Sequence, residues 1–298
     1  MKGSVITIGT FDGVHLGHKA ILDKVVKTAK EHDLESIVIT MEKPVKKVDG
    51  LLTLPNEKNE IISSFGIDKI LVLPVNKKIL NTTATDFFKS IIIKQLNAKH
   101  IVVGYNCAFG KDREGNIAWL KKTVKKYGIK LEVINPVKLG NQIVSSSKIR
   151  DFINKNNISS ANKILGRIFE INGIHVSGKR IGRTIGFPTI NVKVNKEKIL
   201  PKGVFVCSVF DKTGNCYPAV LNIGTSPTIK NAEHSLLVEA HLLNFYGYWK
   251  SKNIKILVHK FIRDEKKFSS IKLLQKAIQN DVAVASGKKF LKIDLKKA

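Results

Sequence analysis

The stretch Gly9-Thr10-Phe11-Asp12-Gly13-Val14-His15-Leu16-Gly17-His18 constrains the fold most, because it joins a strand-like run (5–9) to a helix-like one (20–30). Glycines at a strand-to-helix turn let backbone approach a phosphate, and the helix N-terminus behind them adds oriented N–H groups and partial positive charge. His15 and His18, three residues apart, share a face of the first helical turn, where both imidazoles can donate to one anion. The segment therefore reads as an oxyanion cradle in a βα unit. Strand-like runs at 36–40, 69–73, 100–104 and 131–134, with a helical stretch at 84–96, extend that unit into a parallel α/β sheet. A single helix is expected over 148–165, stopped by Gly166.

Beyond residue 169 the pattern changes to short β-like runs at 205–210, 217–221, 236–243 and 254–262, broken by Gly, Pro and Asn. These predict a small antiparallel barrel, closed by a helix over 270–285 in which Ile271, Leu274, Ile278 and Val282 recur at helical spacing. The chain is thus expected to be a Rossmann-like α/β domain (1–160) followed by a small antiparallel β-barrel domain with a C-terminal helix (161–298).

Composition narrows the function classes. At 298 residues and 43% hydrophobic content the chain can bury two ordinary cores, and it has no run of about 18 apolar residues to span a bilayer. Its N-terminus enters a strand pattern without the apolar stretch of a signal peptide, which places it in the cytoplasm with no membrane partner. Cys107, Cys207 and Cys216 form no C-x-x-C pair and suggest neither disulfides nor a zinc ribbon. The net charge of +27 raises nucleic acid as a partner, but the lysines are scattered and no aromatics interleave with a basic stripe, so a solvated surface is the better reading. Only six of the 51 cations are arginine, at 113, 150, 167, 180, 183 and 263. Such sparing use flags segments where a rigid bidentate fork matters.

Two of those arginines lie in the string from Gly173 to Asn191, together with Gly178, Gly182 and Gly186 and the ending Phe187-Pro188-Thr189-Ile190-Asn191. It has the composition of a phosphate loop but is neither a Walker A nor a protein-kinase loop. Thr189 and Asn191 supply neutral oxygens suited to Mg²⁺ held jointly with ATP phosphates, and Arg183 can offset phosphate charge. Glu239 is an acid inside an otherwise apolar alternating strand, an expensive position unless it is paired or works as a base. His241, two residues on, faces the same side and is expected to support Glu239.

These residues carry a family resemblance. The first string resembles G-x-F-D-G-x-H-x-G-H of the FAD synthetases within the H-x-G-H nucleotidyltransferases, and Ser145-Ser146-Ser147-Lys148-Ile149-Arg150 is similar to their S-S-T-x-I-R. The segment from Val103 to Arg113 is similar to V-G-x-D/N-F-x-F-G-K-x-R, with Cys107 where an aromatic is expected; Met41-Glu42-Lys43-Pro44 replaces an F-x-P-H-P segment. The glycine-rich string resembles the riboflavin kinase signature G-R-x-x-G-F-P-T-A-N. Asn222-Ile223-Gly224-Thr225-Ser226-Pro227-Thr228, Val238-Glu239-Ala240-His241-Leu242-Leu243 and Ile262-Arg263-Asp264-Glu265-Lys266-Lys267-Phe268 look like further kinase segments, with Ser226 where Arg is usual and Trp249-Lys250-Ser251 where L-Y-G is usual.

Taken together the chain resembles the bifunctional riboflavin kinase/FAD synthetases (FMN adenylyltransferases), transferase half first. The resemblance implies phosphorylation of riboflavin to FMN in the C-terminal half and adenylylation of FMN to FAD in the N-terminal half, both from ATP with Mg²⁺. In the adenylyltransferase it implies ATP binding by Gly9, Phe11, Asp12, Gly17, His15, His18, Ser145, Ser146 and Arg150, with His15 and His18 catalytic, and flavin binding by Asn106 and Phe109. In the kinase it implies ATP binding by Gly178, Arg183, Thr189 and Asn191, metal ligation by Thr189 and Asn191, flavin binding by Arg263, Glu265 and Phe268, and Glu239 as catalytic base. Two alternatives stand beside it: a kinase whose transferase half is weakened or repurposed, motivated by Lys43 and Cys107, and, more distantly, a basic nucleic-acid-binding protein.

Overall fold

The computed structural model describes residues 2–178, 181–225 and 236–287, in two compact units, Met1–Ser146 and Ser147–Ala298. In the first unit, strands β1 (Ser4–Gly9), β2 (Glu35–Met41), β3 (Lys69–Leu73), β4 (Ala98–Gly104) and β5 (Lys130–Ile134) form a parallel sheet in the order β3-β2-β1-β4-β5. Neighbouring residues of its central strands feed separate cores. Ile6, Ile37, Ile39, Ile101 and Val103 join one cluster with Phe87, Phe88, Ile92 and Leu120, while Val5, Val38 and Val102 join another with Ile21, Leu22 and Val25 of helix α1 (Leu16–Glu31) and Ile62 of helix α2 (Pro55–Ser63). Burial on both faces is why these strands read as continuous apolar runs.

The helix expected over 84–96 is α-helical only through Ala84–Phe87 and widens to a π-helix over Phe88–Gln95. The wider turn lets the consecutive Ile91, Ile92 and Ile93 all reach the same core cluster. The single helix expected over 148–165 is instead two, α3 (Ser146–Asn154) and α4 (Ile158–Leu165), because Asn156 adopts a left-handed φ of 57° between them. Gly166 does terminate the second, at φ 72°.

The second unit is a closed six-stranded antiparallel barrel of β6 (Phe169–Val176), β7 (Ile190–Val194), β8 (Gly203–Phe210), β9 (Cys216–Thr225), β10 (Leu236–Leu242) and β11 (Asn253–Arg263), ordered β6-β7-β10-β9-β8-β11. Ile190, Leu221, Val238, Ala240, Phe205 and Val258 fill its interior. Helix α4 packs on β11, where the Asn162 side chain donates to Val258 O and accepts from Phe169 N. Helix α5 (Ile271–Ala285) covers outward Val204, Val206 and Val220. The first four residues of the glycine-rich string thus end strand β6 and its last two open β7, with a short helical turn at Ile181–Thr184 between them.

Candidate active sites

In the first unit β1 is flanked by β2 on one side and β4 on the other, so the strand order reverses there, and ligands of open parallel sheets bind outside the carboxyl ends of strands at such a switch point. β1 ends at Gly9 and β4 at Gly104, which brings the Gly9–His18 string and the segment after Gly104 to that crevice. The turn is strained: Phe11 (φ 49°), Gly13 (φ 84°) and Val14 (φ 36°) are left-handed, a conformation that costs a β-branched residue most.

Asp12 holds the turn. Its buried Oδ1 accepts from Leu52 N and Thr53 N, each at 3.1 Å, while Gly13 N donates to Thr53 Oγ1 and Ser146 Oγ donates to Asp12 O at 2.8 Å. His15 is the N-cap of α1: its Nδ1 accepts from His18 N, which fixes the proton of the neutral ring on Nε2. Gly17 permits this, since a Cβ there would crowd the His15 ring at 3.1 Å. The imidazoles of His15 and His18 stack 3.7 Å apart at 13°, and Phe11 packs on His18 at 5.0 Å. The two rings thus form one stacked pair at the head of α1.

Ser145 immediately precedes α3, and Arg150, half-buried, lies on its second turn. Asn106 is exposed beyond β4. Phe109 is instead packed in the core against Phe87 (5.2 Å) and Trp119 (5.7 Å). Cys107 lies against β1, its thiol donating to Ile8 O at 3.7 Å, and burial pushes its pKa up to about 12, so it is an inert neutral thiol.

In the barrel one lateral row crosses five strands. Asn191 on β7 opposes Glu239 on β10, which opposes Asn222 on β9; Asn222 opposes Val204 on β8, and Val204 opposes Arg263 on β11. All face outward, with strands about 5 Å apart. Burial raises the Glu239 carboxyl above the ordinary carboxylate range.

At one end of the row, Gly178, Arg183, Thr189 and Asn191 line a cavity of about 350 Å³ with Tyr248 and Trp249. The glycines are obligatory there: a Cβ at Gly178 would run into the Asn191 amide, and one at Gly182 into Phe187 O. His241 Nδ1 donates to Pro188 O at 2.8 Å and its ring packs on Phe187, so it steadies the Pro188-Thr189 segment, not Glu239 as expected from sequence. Arg183 lies over the Tyr248 ring at 5.2 Å. At the other end, Arg263 pairs with buried Asp281 of α5 (2.8 Å) and stacks on Phe268 (5.6 Å), and the Glu265 carboxylate rests against Gly224 where a Cβ would collide with it. Arg180 and Ser226, singled out in the sequence, lie outside the described residues.

The sequence reading missed Asn222 as a neighbour of Glu239, though a β-alternation count pairing the two strands could have found it. It also missed the clasp of Leu52 and Thr53 on Asp12, for which no local signal exists.

A switch-point phosphate turn on the parallel sheet of one unit and, in the other, a barrel that carries a glycine-lined cavity and a buried carboxyl together define a two-site nucleotide-dependent transferase. The FAD synthetase family matches residues 1–148 and the riboflavin kinase family residues 165–288. A bifunctional riboflavin kinase/FMN adenylyltransferase of Buchnera aphidicola subsp. Acyrthosiphon pisum is 35% identical over 289 residues, covering 95% of this chain and 92% of the relative; that of Escherichia coli is 32% identical over 290 residues, covering 95% and 92%. The chain belongs to the bifunctional riboflavin kinase/FMN adenylyltransferase family and carries both activities. A crystal structure of a Streptococcus pneumoniae protein described as a macrolide-efflux protein has the same fold, with a TM-score of 0.86, 26% identity and coverage of 96% of this chain and 94% of that one. Among the described residues of this chain, no helix is long and apolar enough to cross a membrane.

Proposed function

We propose that ATP with Mg²⁺ serves both half-reactions and that Glu239 is the base of the kinase. The supporting observation is the row itself: Glu239 stands between a glycine-lined cavity with Thr189 and Asn191 on one side and Arg263, Glu265 and Phe268 on the other. Triphosphate in the cavity and riboflavin toward α5 would bring the primary hydroxyl to Glu239. The carboxylate takes the hydroxyl proton as the oxygen bonds to the γ-phosphorus and the bond to the β–γ bridging oxygen breaks, releasing ADP. A base raised by burial accepts that proton more readily than an exposed carboxylate.

The donor set fits Mg²⁺. The Thr189 hydroxyl and Asn191 amide are hard neutral oxygens, the amide is pressed onto Gly178, and no group of three or more His, Cys, Asp or Glu among the described residues could build a metal cage. Such a site suits a cation shared with phosphates. When bound there it would neutralise phosphate charge.

In the first unit, we assign the His15–His18 pair to the anionic oxygens of the α-phosphate, with Ser145 and Ser146 serving the same nucleotide. An FMN phosphate oxygen bonds to the α-phosphorus as the α–β bridge breaks and pyrophosphate leaves, a step that needs positioning and charge neutralisation only. Asn106 is the flavin contact we favour there; Phe109 acts from behind, as core. The three cysteines are free thiols, which supports a reducing cytoplasmic compartment. The test is a time course of purified protein with riboflavin, ATP and Mg²⁺: FMN should appear first and FAD with pyrophosphate after it, and absence of FAD from added FMN would reduce the chain to a kinase.

A further inference from the structure

Lys58, on the first turn of α2, is one of two buried lysines among the described residues, 3% exposed beside 5% for Lys198. Its Nζ donates to Thr10 O (3.3 Å), Met41 O and Glu42 O (3.5 Å). Thr10 follows the end of β1 and opens the strained turn that leads to His15; Met41 ends β2 and Glu42 follows it. One ammonium group therefore ties the carboxyl ends of two adjacent strands together at the crevice. We propose that Lys58 is a positioning residue for adenylyl transfer, fixing the turn that carries the histidine pair and placing a desolvated positive charge behind it.

The physical case has two parts. A left-handed turn at Phe11, Gly13 and Val14 persists only where its surroundings over-determine it. Asp12 clasps it from the 52–53 side, and Lys58 clasps Thr10 from below. Second, a cation held by carbonyl oxygens in a water-poor site acts on developing phosphate charge without having to reorganise. The charged groups around it are the Asp12 carboxylate from the turn and Glu42 from the end of β2, both of which favour its charge, and Glu57 on its own helix, whose carboxylate accepts Leu54 N at 2.8 Å. Burial outweighs the two and lowers the Lys58 pKa to about 8. Above that pH the group loses its charge and one of its donors.

This inference rests on the assignment of adenylyl transfer to the first unit. Its test uses full-length protein, with riboflavin phosphorylation in the barrel as an internal control of integrity. FMN adenylylation is measured from pH 6 to 10 in the wild type, Lys58→Met and Lys58→Arg. Expected are a fall in wild-type kcat above about pH 8, at least a tenfold lower kcat in Lys58→Met with kinase activity retained, and loss of that alkaline fall in Lys58→Arg, whose guanidinium stays charged. Should Lys58→Met not fold, the Arg profile decides alone. Lys58→Met within twofold of wild type, or an unchanged alkaline fall in Lys58→Arg, overturns the proposal. A wild type making no FAD at any pH would instead sink the assignment of the first unit.

Discussion

Asn191 and Glu239 stand directly opposite each other on antiparallel β7 and β10, outside the barrel, with the Asn191 amide pressed onto Gly178. Glu239 must be a carboxylate to accept a proton, and burial raises its pKa above the ordinary range. Riboflavin phosphorylation should therefore decline on the acid side at a higher pH than an exposed carboxylate would give. Glu239→Gln should lower kcat about 10²–10⁴-fold, the usual worth of a positioned base, and leave FMN adenylylation unchanged. A kcat–pH profile of wild type and variant, each with both substrates, checks this.

The same contact makes Gly178 a sensitive position. Gly178→Ala would drive a methyl into the Asn191 amide, so either the loop or Asn191 must shift. A displacement of about 1 Å at a reacting site can cost on the order of 10²-fold in rate. We expect kcat/KM for ATP in the kinase reaction to fall by about that much, with the unfolding midpoint little changed because the loop lies outside the core. Equal losses in stability and rate would point to a folding defect.

The architecture was legible where periodicity is strong. β1, β2, β3 and the barrel strands β8 and β11 fall where apolar runs placed them, and the turn from Gly9 to His18 sits at the strand-to-helix junction the glycines required. What the sequence could not show is how far apart residues meet. Asn156 broke an expected helix because a left-handed residue leaves no period to read, and Ile91 to Ile93 widened another through packing. The packing of Phe109 on Phe87 and the pairing of Arg263 with Asp281 have no local signal, and Lys58 looks like any surface lysine until a chain segment 48 residues away is seen to lie on it.

His15 serves two purposes that substitution can separate. Its Nδ1 caps α1, while the proposed chemistry uses the same ring to hold a phosphate anion. Asn is an equally good N-cap but has no imidazole, so His15→Asn should keep the first unit's stability and lose most adenylyl transfer. His15→Ala should lose that activity and about 1 kcal/mol of stability as well. His18→Ala should abolish adenylylation while FMN formation persists. Urea denaturation beside FMN adenylylation assays distinguishes the three variants.

Acid should weaken the barrel through one histidine. His259 Nε2 is 2.8 Å from the Ser208 hydroxyl, and burial lowers its pKa from 6.5 to about 4. In the unfolded chain the ring takes up a proton near 6.5, so between about pH 6.5 and 4 the unfolded state binds more protons than the folded one and stability falls with falling pH. The contribution is full above 6.5 and gone below about 4. The displacement corresponds to about 2–3 kcal/mol once partial solvent access is allowed for. His259→Gln retains a partner for Ser208 and cannot titrate. Urea unfolding followed by Trp249 fluorescence, in a Trp119→Phe background so that the barrel alone reports, should show the wild type losing stability across that window and the variant losing less by this amount. Parallel slopes in the two proteins would assign the acid sensitivity to other groups.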